Sequence, residues 1–270
     1  DHVLPERGRS ALRTAIDIFV VLGIVGGVAT SLGFGVPLSA SLASQLLGVP
    51  DNLLTQGAVI LIMTAVFGTS AYRGLRRGIK VLADLPLWLM YFMMAFVVLL
   101  GPTIYIFSMS MNSVGLMLDN FFRISFWTDP VSKSGFPEAW TVFYWAWWLA
   151  YAPMMGLFFG RISKGRTIRQ VVLGIIGFGA LGTFLFLGIA GAYVLHLQSH
   201  GLLDAVSIIN EQGMGPLVAQ VIAELPFKWL ILGVVAVLSI IFYATTFDSA
   251  AYVLASICTR DLAPNREPAA

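Results

Sequence analysis

The chain has 270 residues, of which 58% are hydrophobic and only 11% charged, and its mean hydropathy is +0.85. A soluble domain carries about 25% charged residues to cover its surface, so lipid must be the solvent that removes that need. The formal net charge of +2 is spread over short loops with no basic patch to track phosphates, which argues against nucleic acid as a partner, and the single cysteine, Cys258, leaves no disulfide framework and no cysteine metal cluster.

The chain begins at Asp1 with no initiator methionine, and it is expected to be a piece of a longer protein. A helix needs about 20 apolar residues to cross a bilayer core. In chain order, the stretches that qualify are 14–36, 53–72, 85–109, 140–160, 168–196 and 227–258. The fold class is therefore all-α, a polytopic transmembrane helical bundle. If the spans alternate, one side collects 13 basic residues, in clusters around Arg7–Arg13, Arg73–Lys80 and Arg161–Arg169 and at Arg260 and Arg266. The other side holds three: Arg123, Lys133 and Lys228. The excess marks the first side as cytoplasmic, with both ends of this segment there.

Two outer segments are not simple loops. Residues 111–126 set Met111, Val114, Leu118, Phe121 and Phe122 against Asn112, Asp119, Asn120 and Arg123, the pattern of an amphipathic helix lying in the interface. Residues 199–226 also mix polar with apolar, and Gly213, Gly215 and Pro216 break them into two short pieces. The organisation expected is three transmembrane helices over 1–110, an interfacial helix and linker over 111–139, and three transmembrane helices over 140–270.

No enzyme motif is present: there is no Gly-x-Ser-x-Gly and no phosphate loop. Gly23, Gly26 and Gly27, and Gly174, Gly177, Gly179 and Gly182, lie inside apolar spans, where close helix packing explains them. His196 and His200 are four residues apart where a hydrophobic segment ends and read as an interfacial pair; His2 is remote from both. The segment richest in chemistry is Trp140-Thr-Val-Phe-Tyr-Trp-Ala-Trp-Trp-Leu-Ala-Tyr151. Trp140 fits an aromatic belt at the outer interface. Tyr151 lies about 16 Å further along a helix at 1.5 Å per residue, near mid-depth, where a belt has no use. Trp147 and Tyr151 share a face, with Trp148 one step round. Such rings suit a weakly hydrated cation, and quaternary ammonium is the usual guest of an aromatic box. From the residues alone, belt and box both stand.

The run from Trp140 to Trp148, continuing to Gly160-Arg-Ile-Ser-Lys-Gly-Arg-Thr-Ile-Arg-Gln170, resembles the signature of the betaine/choline/carnitine transporter family. Ala29-Thr-Ser-Leu-Gly-Phe-Gly35, Gly101-Pro-Thr103 and Thr245-Thr-Phe-Asp-Ser249 fit as well. The resemblance implies spans five to ten of a twelve-span protein with a LeuT-like core of two inverted repeats. It implies no enzyme but a secondary transporter, in a bacterial inner membrane, of compatible solutes such as glycine betaine, choline or carnitine. Trp147, Trp148 and Tyr151 fall on the family's substrate box, where Tyr at the third position is a variant that some members share.

The resemblance also places Phe242, Thr245 and Thr246 where backbone and hydroxyl oxygens coordinate sodium. Hard oxygens suit that ion, while bonding of each hydroxyl to its own helix is the alternative. Ile24 and Val28 stand where some members have sodium-binding threonines. Coupling by sodium or by a proton is implied; the stretch from Leu85 to Met109 lacks the fixed cation of ion-independent exchangers. Homotrimers occur in the family. Asp248 is read from the residues themselves: a carboxylate deep in a span is expensive and suggests a proton carrier or a gate tie. The rival function is a membrane sensor or interaction module with the same fold and no transport.

Overall fold

The computed structural model describes residues 9–72 and 75–258. Every regular element among them is helical: α1 (Arg9–Leu47), α2 (Leu53–Tyr72), α3 (Leu75–Leu100), α4 (Thr103–Asp119), α5 (Phe121–Phe126), a π-helical turn (Pro137–Val142), α6 (Phe143–Ile162), α7 (Ile168–Ser199), α8 (Ala205–Glu211), α9 (Met214–Ala223) and α10 (Lys228–Cys258). Of the residues singled out above, His2, Arg7, Arg73, Arg260 and Arg266 lie outside the described residues. Thr14–Leu47, Ile168–Ser199 and Lys228–Ala255 are long and apolar enough to cross a bilayer. α2 and α6 are each 20 residues long, about the length a span needs, but the apolar stretch of α2, Leu53–Thr69, is shorter than the three spans above.

Two expected spans differ in the structure. The first was expected to end at residue 36, but α1 runs through Pro37 to Leu47. Pro37 leaves the Gly33 carbonyl without its helical donor, which membrane helices tolerate; one turn on, Ser41 Oγ lies 2.6 Å from Asp51 Oδ2 and 2.9 Å from Pro37 O, with one hydrogen to give to either. The third, 85–109, is not continuous: α3 stops at Leu100, α4 starts at Thr103, and the two are bent by 112°. Pro102 has no N–H to give Val98 O, and Thr103 Oγ1 donates to that carbonyl instead, at 2.5 Å. Gly101 is needed there, since a Cβ would collide with the Val97 carbonyl. The helix expected at 111–126 thus begins at Thr103 and breaks at Asn120, whose side chain bonds back to Leu116 O.

Local chemistry sets the other boundaries. Thr167 and Gln170 form a capping box at the start of α7, with Gln170 N donating to Thr167 Oγ1 and Thr167 N to Gln170 Oε1. Gly213, at φ +92°, separates α8 from α9 as expected, whereas Gly215 and Pro216, expected to share in the break, lie inside the first turn of α9.

The chain divides into two compact units. One takes residues up to Leu32, Thr128–Lys164 and those from Thr246 onward; the other takes Gly33–Trp127 and Gly165–Thr245. The division cuts through α1 and α10. In the first unit Ile24, Tyr151, Met154, Ala250 and Val253 form a buried cluster, with Val20, Val28 and Trp147 against it. Its loop is closed by Asp129, which accepts from Ser134 N at 2.7 Å and Ser134 Oγ at 2.6 Å; those bonds hold its carboxyl below the usual carboxylate range.

The second unit is built around Leu42, Leu197, Leu217, Ile231 and Leu232. α4 packs along α7 there, and Tyr105 meets the rings of both His196 and His200, which lie 4.0 Å apart. Of the glycines expected to mark close packing in α7, Gly174, Gly177, Gly179 and Gly182 have nothing within 4 Å of a Cβ. That expectation is corrected: the close approach in α7 is at Gly188, where a Cβ would lie 3.0 Å from Ser110 Oγ.

Candidate functional site: an aromatic series on one helix

Pro137 opens a π-helical turn that leads directly into α6. From there an unbroken series of ring contacts runs into the helix. Phe136 meets Trp140 at 6.1 Å, Trp140 stacks on Tyr144 at 6.1 Å with 12° between planes, and Tyr144 meets Trp147 at 6.0 Å. Phe143 also reaches Trp147 at 6.0 Å, and Trp147 meets Tyr151 in a T-shaped contact at 5.9 Å and 72°. Centroid spacings of 4.5–7 Å are those of favourable ring pairs. The spacing behind the series is helical, three or four residues per step, so the sequence alone places these side chains on one stripe.

Of the expected box, Trp147 and Tyr151 are brought together. Trp148 points elsewhere and is 65% exposed. Tyr151 is only 8% exposed, its hydroxyl 2.9 Å from Ser31 Oγ on α1. The Trp147 indole N–H is buried and has no hydrogen-bond partner, so the described chain leaves a donor unmet beside this series. Trp140, expected in an interface belt, is partly exposed and is also the second ring of the series.

Sequence reasoning missed Ser31 and the particular role of Gly27. A Cβ at Gly27 would lie 2.6 Å from Tyr151 Cε2, so only glycine lets the ring lie against α1. Gly23 does the same for the backbone of Ala150, whose carbonyl would be 3.2 Å from a Cβ. The spacing Gly23–Gly27 was the available signal, though it does not name the partner.

The ion-site residues share α10. Thr245 Oγ1 donates to Phe242 O at 2.7 Å, the bond to its own helix named above as the alternative to sodium binding. Thr246 follows on the next position. Asp248, one turn beyond Thr245, is buried at 6% exposure. No group of three or more His, Cys, Asp or Glu among the described residues is placed to hold a metal ion.

An all-helical chain with bilayer-length apolar helices and a continuous aromatic series entering one of them has the build of a membrane transporter. The chain belongs to the betaine/carnitine/choline transporter family, whose model matches residues 2–269. It is 32% identical to a carnitine transporter of Acinetobacter baumannii over 257 residues, 94% of this chain and 46% of that protein. It is 32% identical to the glycine betaine transporter OpuD of Bacillus subtilis, over 93% of this chain and 49% of that protein. An uncharacterized transporter of Escherichia coli, YeaV, is also 32% identical, over 94% of this chain and 53% of its own length. The chain thus spans about half the length of the curated relatives it matches.

Proposed function

We propose that this chain forms part of a secondary transporter that moves a quaternary-ammonium solute across a bacterial inner membrane by alternating access. The aromatic series on α6 is the observation that carries the reading. A quaternary ammonium has no N–H to donate and sheds water readily, and aromatic faces attract it by about 0.5–2 kcal/mol each. Trp147 and Tyr151, which share one stripe of α6, form this chain's share of the binding site. The relatives' names, carnitine and glycine betaine transporter, support this solute class. The distribution of Lys and Arg supports a cytoplasmic start for α1. Trimeric assembly, which the family resemblance implies, belongs to the same reading.

The test uses the full-length protein in proteoliposomes. Glycine betaine, choline or carnitine should accumulate under a sodium or a proton gradient; no accumulation of any of them under either gradient would sink the proposal and favour a sensor. Trp147→Ala should weaken binding by about 1–3 kcal/mol through lost cation–π contact and packing. Trp140→Ala should leave affinity nearly unchanged in a tryptophan-fluorescence titration. Equal losses at both positions would refute this assignment of the site.

Sodium is the coupling ion that the family resemblance of Phe242, Thr245 and Thr246 supports. Thr245→Val keeps the side-chain shape and removes one oxygen, so apparent sodium affinity should fall several-fold. Substrate affinity should fall with it only when sodium is present, because linkage is reciprocal. If a proton drives transport instead, Thr245→Val will be silent towards sodium and Asp248→Asn will be the damaging change. Uptake measured against sodium concentration and pH separates the two.

A further inference from the structure

We infer that Tyr105, His196 and His200 form an acid-sensitive latch, which holds α4 on the C-terminal end of α7 while His196 is neutral and lets α4 go when His196 takes a proton. The inference is independent of the aromatic site on α6 and concerns residues of the second compact unit alone.

Helical spacing puts the two histidines on one face of α7, four residues apart. Their rings lie 4.0 Å apart, and the Tyr105 ring of α4 meets His196 at 5.0 Å and His200 at 5.9 Å, in T-shaped contacts. Valence separates the two imidazoles. Nδ1 of His200 lies 2.9 Å from the carbonyl of His196, which can only accept, so this nitrogen carries a hydrogen. The other nitrogen of His200 keeps its lone pair. The residue is exposed and closes a helix, where positive charge is favoured, so His200 takes a proton in place.

His196 is the opposite case. Its Nδ1 is buried and has no hydrogen-bond partner. In the neutral ring this nitrogen stays bare and the hydrogen sits on Nε2. A protonated ring must put a hydrogen on Nδ1, where no acceptor meets it, and must hold its charge 4.0 Å from His200. Attraction between a cation and the Tyr105 ring does not relieve that repulsion. Nor do the elements packed on α7 supply a counter-charge. α3 has no charged residue from Leu85 to Leu100, and α4 has Asp119 only at its far end, about 21 Å along the helix from Tyr105. α8 opens on Asp204, whose carboxylate accepts from Ser207 N at 3.2 Å and Ser207 Oγ at 2.8 Å, and it ends on Glu211. His200 is the ionisable group whose charge bears on His196.

Uncovering His196 removes both costs, and lifting Tyr105 away is the motion that uncovers it. An unperturbed histidine titrates near pH 6.5. A ring that is neutral when covered and free to ionise when uncovered stabilises the closed seam above that pH and loses the contribution below it. The open-to-closed ratio then rises by up to about thirtyfold between pH 8 and pH 5.

The test is a pair of nitroxide labels on the full-length protein in detergent, at Phe107→Cys of α4 and Leu195→Cys of α7, both exposed, with the native cysteines replaced by serine. The distribution of distances between the labels is read at pH 8 and pH 5. One distance should dominate at pH 8, and a longer one should gain at pH 5, by up to about thirtyfold in ratio. His196→Phe keeps a ring beside Tyr105 and cannot take a proton, so its distribution should be the same at both pH values. His200→Phe removes the repulsion but leaves Nδ1 of His196 unmet, so the acid response should shrink without vanishing. A ratio in the labelled parent that changes by less than about twofold, or an acid response that survives in His196→Phe, overturns the inference. A response abolished as completely by His200→Phe as by His196→Phe overturns the assignment to His196. If His196→Phe does not fold, His196→Gln, which has no titrating group, takes its place: loss of the acid response there supports the latch, and its persistence overturns it.

Discussion

Two tyrosine rings lie on glycines of the same helix and are secured differently. Tyr151 of α6 rests on Gly27 in one compact unit, and Tyr243 of α10 rests on Gly35 in the other. Each glycine is followed four residues later by a buried serine, Ser31 or Ser39. At the first seat the serine bonds the phenol itself. At the second, Ser39 bonds Ser239, one turn before Tyr243, at 3.0 Å. In lipid, apolar surface gives no drive for helices to associate, so close backbone approach and interhelical hydroxyl bonds take over. The same device thus fixes an aromatic oxygen in one place and ties two backbones together in the other. Only the first bears on the proposed binding site.

The largest expected effect comes from filling these seats. At Gly35 a Cβ would run into Cζ, Cε1 and Cε2, the hydroxyl-bearing end of Tyr243. Gly35→Ala should cost about 1–3 kcal/mol of stability as overpacking, seen as a lower thermal midpoint of the full-length protein in detergent. Ligand affinity of the folded fraction should not change. At Gly27 the closest ring atoms are Cε2 at 2.6 Å and Cδ2 at 3.0 Å, one edge only. Gly27→Ala should therefore cost less stability, about 1 kcal/mol, yet weaken betaine binding, because Tyr151 and Trp147 shift together. A larger loss of affinity at Gly35 than at Gly27 would break the division of labour between the seats.

The comparison also shows which features the sequence exposes. Hydropathy marks α7 and α10 almost to the residue, and the three- and four-residue spacing puts Trp147 and Tyr151 on one stripe. The bend after Leu100 was hidden because apolar residues continue on both sides of Gly101 and Pro102, and hydropathy carries no direction. Pro37 misled in the opposite sense, since α1 carries the proline inside an unbroken helix. Glycines in apolar spans look alike in sequence, yet Gly27 and Gly35 are seats while Gly174 and Gly177 have nothing near them. The Ser31–Tyr151 bond joins residues 120 positions apart, and no local pattern encodes it.

The smallest effect belongs to the second serine, and it sharpens the contrast most. Ser239 Oγ donates to Ala236 O at 2.8 Å, so its single hydrogen is already committed. In the bond between the two serines it must therefore accept from Ser39. Ser39→Ala removes a donor and leaves Ser239 with its own bond intact, so no buried hydrogen is stranded. The cost should sit near the low end for a buried hydrogen bond, about 0.5–1 kcal/mol in a denaturation series. Glycine betaine affinity should stay at the wild-type value, because the serine pair does not touch a ring of the proposed site. Ser31→Ala removes a bond of the same kind from the same helix, two turns earlier, but one made to the Tyr151 hydroxyl, and should weaken betaine binding. If Ser39→Ala weakens betaine binding as much as Ser31→Ala does, the change reflects general loosening of α1, and the distinction between the two seats fails.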